Sequence, residues 1–177
     1  AVVHARDVDA VLAEHGADEA DDARLVAVAR DQQKPPHQRG AQTAPAHEIV
    51  VVDDASNDRT AEIVAAQRDL PIKLIRLNSN MGPSAARNAG LDTASGDLVA
   101  FLDSDDEWLP SKLEQQTSLF ETDSACAIAG ARGIWVTDGQ PAGTIPCGEP
   151  WTGPEGWKQL LWANWFHTSY VMTWRRL

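Results

Sequence analysis

The chain has 177 residues, 43% of them hydrophobic and 23% charged, with a formal net charge of −11. That length holds one domain or part of one, with enough apolar material for a core. The acidic balance argues against a nucleic-acid backbone or an anionic membrane surface as partner, while an anionic ligand bridged by a cation stays open.

Two cysteines, Cys126 and Cys147, make neither a disulfide framework nor a zinc site. No stretch approaches the roughly 18 apolar residues of a membrane span, and no signal-peptide pattern opens the chain. The expectation is a cytoplasmic protein without a transmembrane segment in this chain, at most peripheral at the inner face of a membrane.

Residues 1–46 carry no motif. Positions 8–12 and 25–28 could each belong to a short helix or strand, and Asp21 and Asp22 could cap a helix after them. Positions 32–45 contain Pro35, Pro36, Gly40 and Pro45 and read as an irregular loop or linker. His4, His15, His37 and His47 are scattered and suggest no metal site.

Order is expected from Glu48. Positions 49–52 are β-branched and end in Asp53 and Asp54, which predicts a buried strand with acids at its carboxyl end. Asn57 or Asp58 can cap a helix over 59–68, broken by Pro71. Positions 72–77 alternate apolar and basic residues, as a strand nearer the sheet edge would. Pro83 opens a helix over 84–94, in which Arg87 is the one cation. The start of that helix and Arg87 can together receive an anion; a surface salt bridge is the alternative for Arg87.

Positions 98–102 (LVAFL) form an unbroken apolar run, a strand buried on both faces, stopping abruptly in Asp103, Ser104, Asp105 and Asp106. Such a run of acids belongs beyond the carboxyl end of the strand, where an open α/β sheet places its ligands. Asp103 and Asp105, two apart, can aim carboxylates at one hard cation, Mg or Mn. Further on, a helix is predicted over 111–121, short strands over 125–129 and 133–136, and a long loop over 137–153. A helix over 155–163 and a strand over 168–174 follow. Trp151, Trp157, Trp162, Trp165 and Trp174 crowd the last quarter, as packing or as a platform for a sugar ring.

Parallel strands joined by helices place Asp53, Asp54, Asp103 and Asp105 on one edge of the sheet. A receiver-like, phosphoryl-accepting signalling module shares that minimum, with Asp103 as acceptor. It lacks the Met-Pro and Asp-Gly run such a domain needs. A haloacid-dehalogenase-type phosphatase wants a hydroxyl or branched residue where Glu107 stands. A calcium loop from Asp103 fails at Trp108, where its turn glycine belongs.

Residues 48–58 read EIVVVDDASND, 80–90 read NMGPSAARNAG and 96–106 read GDLVAFLDSDD. They resemble the EIIVVDDGSxD, NxGxxxARNxG and Asp-x-Asp elements of family 2 inverting glycosyltransferases of the GT-A fold. Residues 164–176 resemble a later segment of that family. The order and gaps fit from about residue 46 onward.

The resemblance implies an α/β, GT-A (Rossmann-like), mainly parallel sheet flanked by helices. Residues 47–177 would be a partial nucleotide-sugar-binding domain, and 1–46 a divergent or irregular segment. It implies a nucleotide-diphosphosugar donor, a glycan, lipid-linked or other hydroxyl acceptor, and a divalent cation. Asp53 and Asp54 would meet the base or ribose, Arg87 the base and diphosphate, Asp103 the ribose and metal, and Asp105 the metal.

Two departures accompany it. Nothing in 1–46 matches the family's opening VSVIIPTYN strand, so the strand at 49–52 is expected to lack a neighbour. A shifted reading frame upstream of about Gln42 would produce so abrupt a change. Translation of the encoding DNA in the other frames tests this hypothesis, and finding no Pro-Thr-Tyr-Asn-like run there would sink it. The family's general base follows the segment resembled by 164–176 and is expected beyond Leu177; neither Glu149 nor Glu155 sits in a matching context. A non-catalytic, degenerate fragment is therefore the other alternative.

Overall fold

The computed structural model describes residues 23–29, 42–68, 70–104, 106–137, 140–145 and 167–176. The expected helix at 155–163, together with Asp105, Cys147, Glu149, Glu155, Trp151, Trp157, Trp162 and Trp165, lies outside those residues.

One six-stranded sheet organises the described chain, in the order β3-β2-β1-β4-β8-β5. Its strands are β1 (Ala23–Ala29), β2 (Glu48–Asp53), β3 (Ile72–Arg76), β4 (Leu98–Asp103), β5 (Ile128–Ala129) and β8 (Met172–Trp174). The helices are α1 (Thr60–Ala66), α2 (Pro83–Thr93) and α3 (Lys112–Thr122), and β6 (Gly133–Thr137) with β7 (Gln140–Ile145) forms a separate ribbon.

All six residues of β2 are buried, as its unbroken apolar run requires of a strand covered on both faces. Alternation divides the core in two. Ile49, Val51, Leu98, Ala100 and Leu102 pack with Val64 of α1 and with Leu113 and Phe120 of α3. Val50, Val52 and Val99 pack on the other face with Ala86 of α2. Each of the valine, leucine, isoleucine and phenylalanine side chains among them contributes about 1.5–3 kcal/mol when taken from water. The Phe120 ring meets Trp174 edge-on at 5.3 Å, so Trp174 is core packing.

The α/β class holds, and β2, β3, β4 and β5 run one way. The pairing is mixed, because β1 is antiparallel to both β2 and β4, and β8 to both β4 and β5; β2 and β3 pair in parallel. The neighbour expected to be missing from β2 is present: β1, an apolar stretch inside residues 1–46, fills the gap between β2 and β4.

Two further expectations are corrected. The loop read over 137–153 contains β7, which pairs with β6 from Thr137↔Gln140 onward. Pro141 and Gly143 suggested a loop, yet an isolated ribbon exposes the backbone positions where proline and glycine are tolerated. The strand read over 168–174 is confined to Met172–Trp174. Before it, Thr168–Tyr170 is a 3₁₀ turn in which the Tyr170 and Val171 amides donate to His167 and Thr168 carbonyls.

Glu48 anchors the end of the sheet opposite the acids. Its Oε1 accepts from the Ser95 amide and hydroxyl and the Gly96 amide, and it pairs with Lys73. Burial works against its charge, but the Lys73 and Ser95 hydrogen bonds and the Lys73 cation outweigh that and hold its pKa at about 2.

Candidate functional site

Asp53 ends β2 and Asp103 ends β4, and β1 runs between them with Ala23 opposite Asp53 and Arg24 opposite Asp103. Two strand spacings put these positions about 10 Å apart on one rim. Alternation then separates their side chains. Asp53 shares the face of Ile49 and Val51, whereas Asp103 shares the α2-covered face of Val99.

Asp53 is fully buried. Its Oδ1 accepts from the Ser56 amide at 2.8 Å, and its Oδ2 lies 3.2 Å from Arg76 Nε. Arg76 also donates to the Ser56 carbonyl, so the turn after β2 is tied to the end of β3. Within that turn Ala55 adopts φ 62, the left-handed region where the resembled motif carries glycine. Asp58 accepts from the Thr60 amide at 2.7 Å, but the cap position of α1 is Arg59 and no side chain caps it, so the cap expected from Asn57 or Asp58 is not formed.

Asp54 is 3% exposed. Its oxygens accept from the Met81 and Gly82 amides at 2.8 and 2.6 Å. Gly82 is at φ 83, a conformation that suits glycine, and its carbonyl accepts the first α2 bond, from Ala86. Asp54 thereby fixes the entry into α2. Both carboxylates at the end of β2 are buried and engaged inside the protein, and direct contact with a ligand would require those bonds to give way.

Arg87, in the second turn of α2, places Nη2 2.7 Å from Asp103 Oδ1. The side chains are 26% and 27% exposed, so this pair reaches solvent. Arg87 Nε is buried and has no hydrogen-bond acceptor among the described residues. A half-used guanidinium beside a partly exposed carboxylate can take an anionic oxygen and a hydroxyl or cation side by side.

The other side of the rim comes from the 3₁₀ turn. The Ser169 hydroxyl accepts from the Asp103 amide at 2.9 Å, and its carbonyl accepts from Trp108 Nε1 at 2.7 Å. Lys112 lies over the Trp108 ring, 4.1 Å from its centroid, and burial alone lowers its pKa to about 7.

The structure thus brings Asp54, Arg87 and Asp103 together around the first half of α2 and sets Asp53 beneath the neighbouring turn. Trp108 was given no site role from sequence, and only its long-range bond to the Ser169 carbonyl joins it to the rim. Among the described residues no group of three or more His, Cys, Asp or Glu side chains could hold a metal ion, and no helix is long and apolar enough to cross a membrane.

A family model described as "Glycosyl transferase family 2" matches residues 24–171. The chain belongs to glycosyl transferase family 2. The match begins within the segment read as divergent and takes in nearly all of β1. Known relatives include the amylovoran biosynthesis glycosyltransferase AmsB of Erwinia amylovora, 44% identical over 78 residues (42% of this chain, 26% of the relative). The putative teichuronic acid biosynthesis glycosyltransferase TuaG of Bacillus subtilis is 39% identical over 103 residues, 56% of this chain and 40% of the relative. The Escherichia coli UDP-Glc:alpha-D-GlcNAc-diphosphoundecaprenol beta-1,3-glucosyltransferase WfaP is 41% identical over 76 residues, 43% of this chain and 30% of the relative. The matched stretches span less than half the length of each of these relatives. Membership of this family displaces the receiver-like alternative.

Proposed function

We propose that residues 47–177, with β1 completing the sheet, form the donor-binding part of a glycosyltransferase. Its donor is a nucleoside-diphosphate sugar, in the first instance a UDP-sugar, and it moves the sugar with inversion to a hydroxyl of a glycan or lipid-linked acceptor. The observation that carries this reading is Arg87. Its guanidinium is oriented by Asp103 and keeps a buried Nε without an acceptor at the sheet edge where α/β proteins bind ligands. The activity for which WfaP is named, with a UDP-glucose donor and a lipid-linked acceptor, supports the same class.

In this reading Arg87 faces the diphosphate and Asp103 the ribose. Asp53 and Asp54 form the base-and-ribose side by holding the turn after β2 and the entry into α2. The donor set suits a hard cation, because the Asp103 carboxylate is partly exposed and Asp105 follows two residues on. A divalent Mn or Mg ion held by Asp103 and Asp105 would supply positive charge against the departing nucleoside diphosphate. Arg87 contributes charge of the same sign from the protein itself. Inversion also needs a general base on the acceptor hydroxyl, a role assigned to no residue of this chain. A lipid-linked acceptor would place the work at a membrane surface, with this chain peripheral to it.

Calorimetric titration with UDP and Mn tests the reading. Binding that Asp105→Ala and Arg87→Ala each weaken supports it. Unchanged affinity in Asp105→Ala removes the metal assignment, and no binding by the unaltered chain removes the donor reading in favour of a degenerate fragment.

A further inference from the structure

One residue holds the acid stretch after β4 at both ends. The Ser169 hydroxyl accepts from the Asp103 amide at 2.9 Å, and the Ser169 carbonyl accepts from Trp108 Nε1 at 2.7 Å. Four of the five residues from Asp103 to Glu107 are acids. Like charges so close along the chain repel one another and favour an open backbone. Within the stretch the Asp106 amide donates to the Asp103 carbonyl at 3.1 Å, a turn that this repulsion works against.

Ser169 is 1% exposed and Trp108 5%, so both bonds are shielded from water. The turn that presents Ser169 is anchored in its own right. Buried Gln116 of α3 donates to the Tyr170 and Ala129 carbonyls at 2.8 and 3.0 Å, and Met172 pairs with Ala100 of β4. The Ser169 contacts reach an amide and an indole and touch no carboxylate. A lysine or arginine in its place would restrain the acids by occupying their charge, and an incoming cation would have to displace it. A neutral clamp fixes the backbone and leaves that charge unchanged.

We propose that Ser169, with Trp108 as its second anchor, is a positioning residue that shapes the acid stretch for the cation and diphosphate of the donor. Its service to the donor rests on the reading above, while its hold on the stretch does not.

The test combines NMR-detected amide exchange with calorimetric titration of UDP, with and without Mn, on the unaltered chain, Ser169→Ala and Trp108→Phe. Trp108→Phe keeps an aromatic ring and removes the indole N–H, so it serves where Ser169→Ala fails to fold. In both variants the Asp106 amide is expected to exchange about fivefold to tenfold faster, with the β2 amides still protected. The gain in UDP affinity that Mn brings should fall about threefold to tenfold, with metal-free affinity unchanged; a general loss of stability would not move that ratio. Asp106 exchange equal to that of the unaltered chain overturns the clamp, and faster exchange with an unchanged Mn ratio overturns its positioning role. Faster Asp106 exchange in both variants of a chain that binds no UDP keeps the clamp and sinks the donor reading.

Discussion

Arg87 Nη2 stands 2.7 Å from Asp103 Oδ1, joining the second turn of α2 to the end of β4 across the rim. Both side chains keep about a quarter of their surface open, so water screens the pair and its contribution to stability is small. Its value is positional: each partner holds the other in reach of a ligand.

Arg87→Ala is therefore expected to cost about 1 kcal/mol of stability while lowering UDP affinity at least tenfold. Arg87→Lys keeps the charge but loses the planar fork, and its affinity should fall between the two. Urea denaturation and calorimetry on the same samples check this. Equal UDP affinity in all three proteins would show that the guanidinium does not meet the diphosphate.

Ala55 sits at φ 62, where a Cβ costs about 1–2 kcal/mol relative to glycine. Ala55→Gly should stabilise the fold by about 1 kcal/mol, the remainder being offset by glycine's freedom in the unfolded chain. A lower denaturation midpoint in this variant would mean that the methyl group is making a contact worth more than the strain.

Glu48 has a folded-state pKa of about 2, below its ordinary 4.5. The folded state therefore binds its proton less well than the unfolded state does. The corresponding stability is present above about pH 4.5 and drains away as the pH falls toward 2, amounting to about 3 kcal/mol. Glu48→Gln should lose roughly that much at pH 7 and converge with the unaltered chain in strong acid. A pH-independent gap between the two denaturation curves would refute the account.

Lys112 shows the opposite balance. Its pKa falls from 10.5 to about 7, so between those values the unfolded state holds the proton that the folded state sheds. Stability should rise with pH through that window, and the penalty is complete below about 7. Lys112→Met keeps the stem over Trp108 and removes the charge. It also gives up the bond to Gln116 Oε1, leaving a net gain of about 1–3 kcal/mol at neutral pH that vanishes near pH 10.5. Melting temperatures of both proteins across pH 6–10 decide it, and parallel curves would count against a buried ammonium.

The strands β2, β3 and β4 and the helix α2 were legible in the chain, because unbroken or alternating apolar runs and a proline at a first turn signal them locally. The family was legible from three spaced motifs. Hidden were features that depend on distant partners. Arg76 looks like an edge-strand cation until Asp53 is found beside it. Glu48 looks like a strand's first residue, yet closes the far end of the sheet. The strand β6 was expected, but its partner β7 was missed although Asp138 and Gly139 lie between the paired residues Thr137 and Gln140, a dipeptide that favours hairpins; the prolines and glycines of 137–153 read as a loop. The direction of β1 was illegible, since an apolar stretch fits a central position either way round.

Ser169 holds the Asp103 amide with its hydroxyl and the Trp108 indole with its carbonyl, across 66 and 61 residues of chain. Closing loops of that length is entropically slow, whereas β2, β3 and α2 meet over much shorter separations. The acid at the end of β4 is thus aligned by a segment more than sixty residues away along the chain, and the rim should take its final shape only after the sheet beneath it has formed.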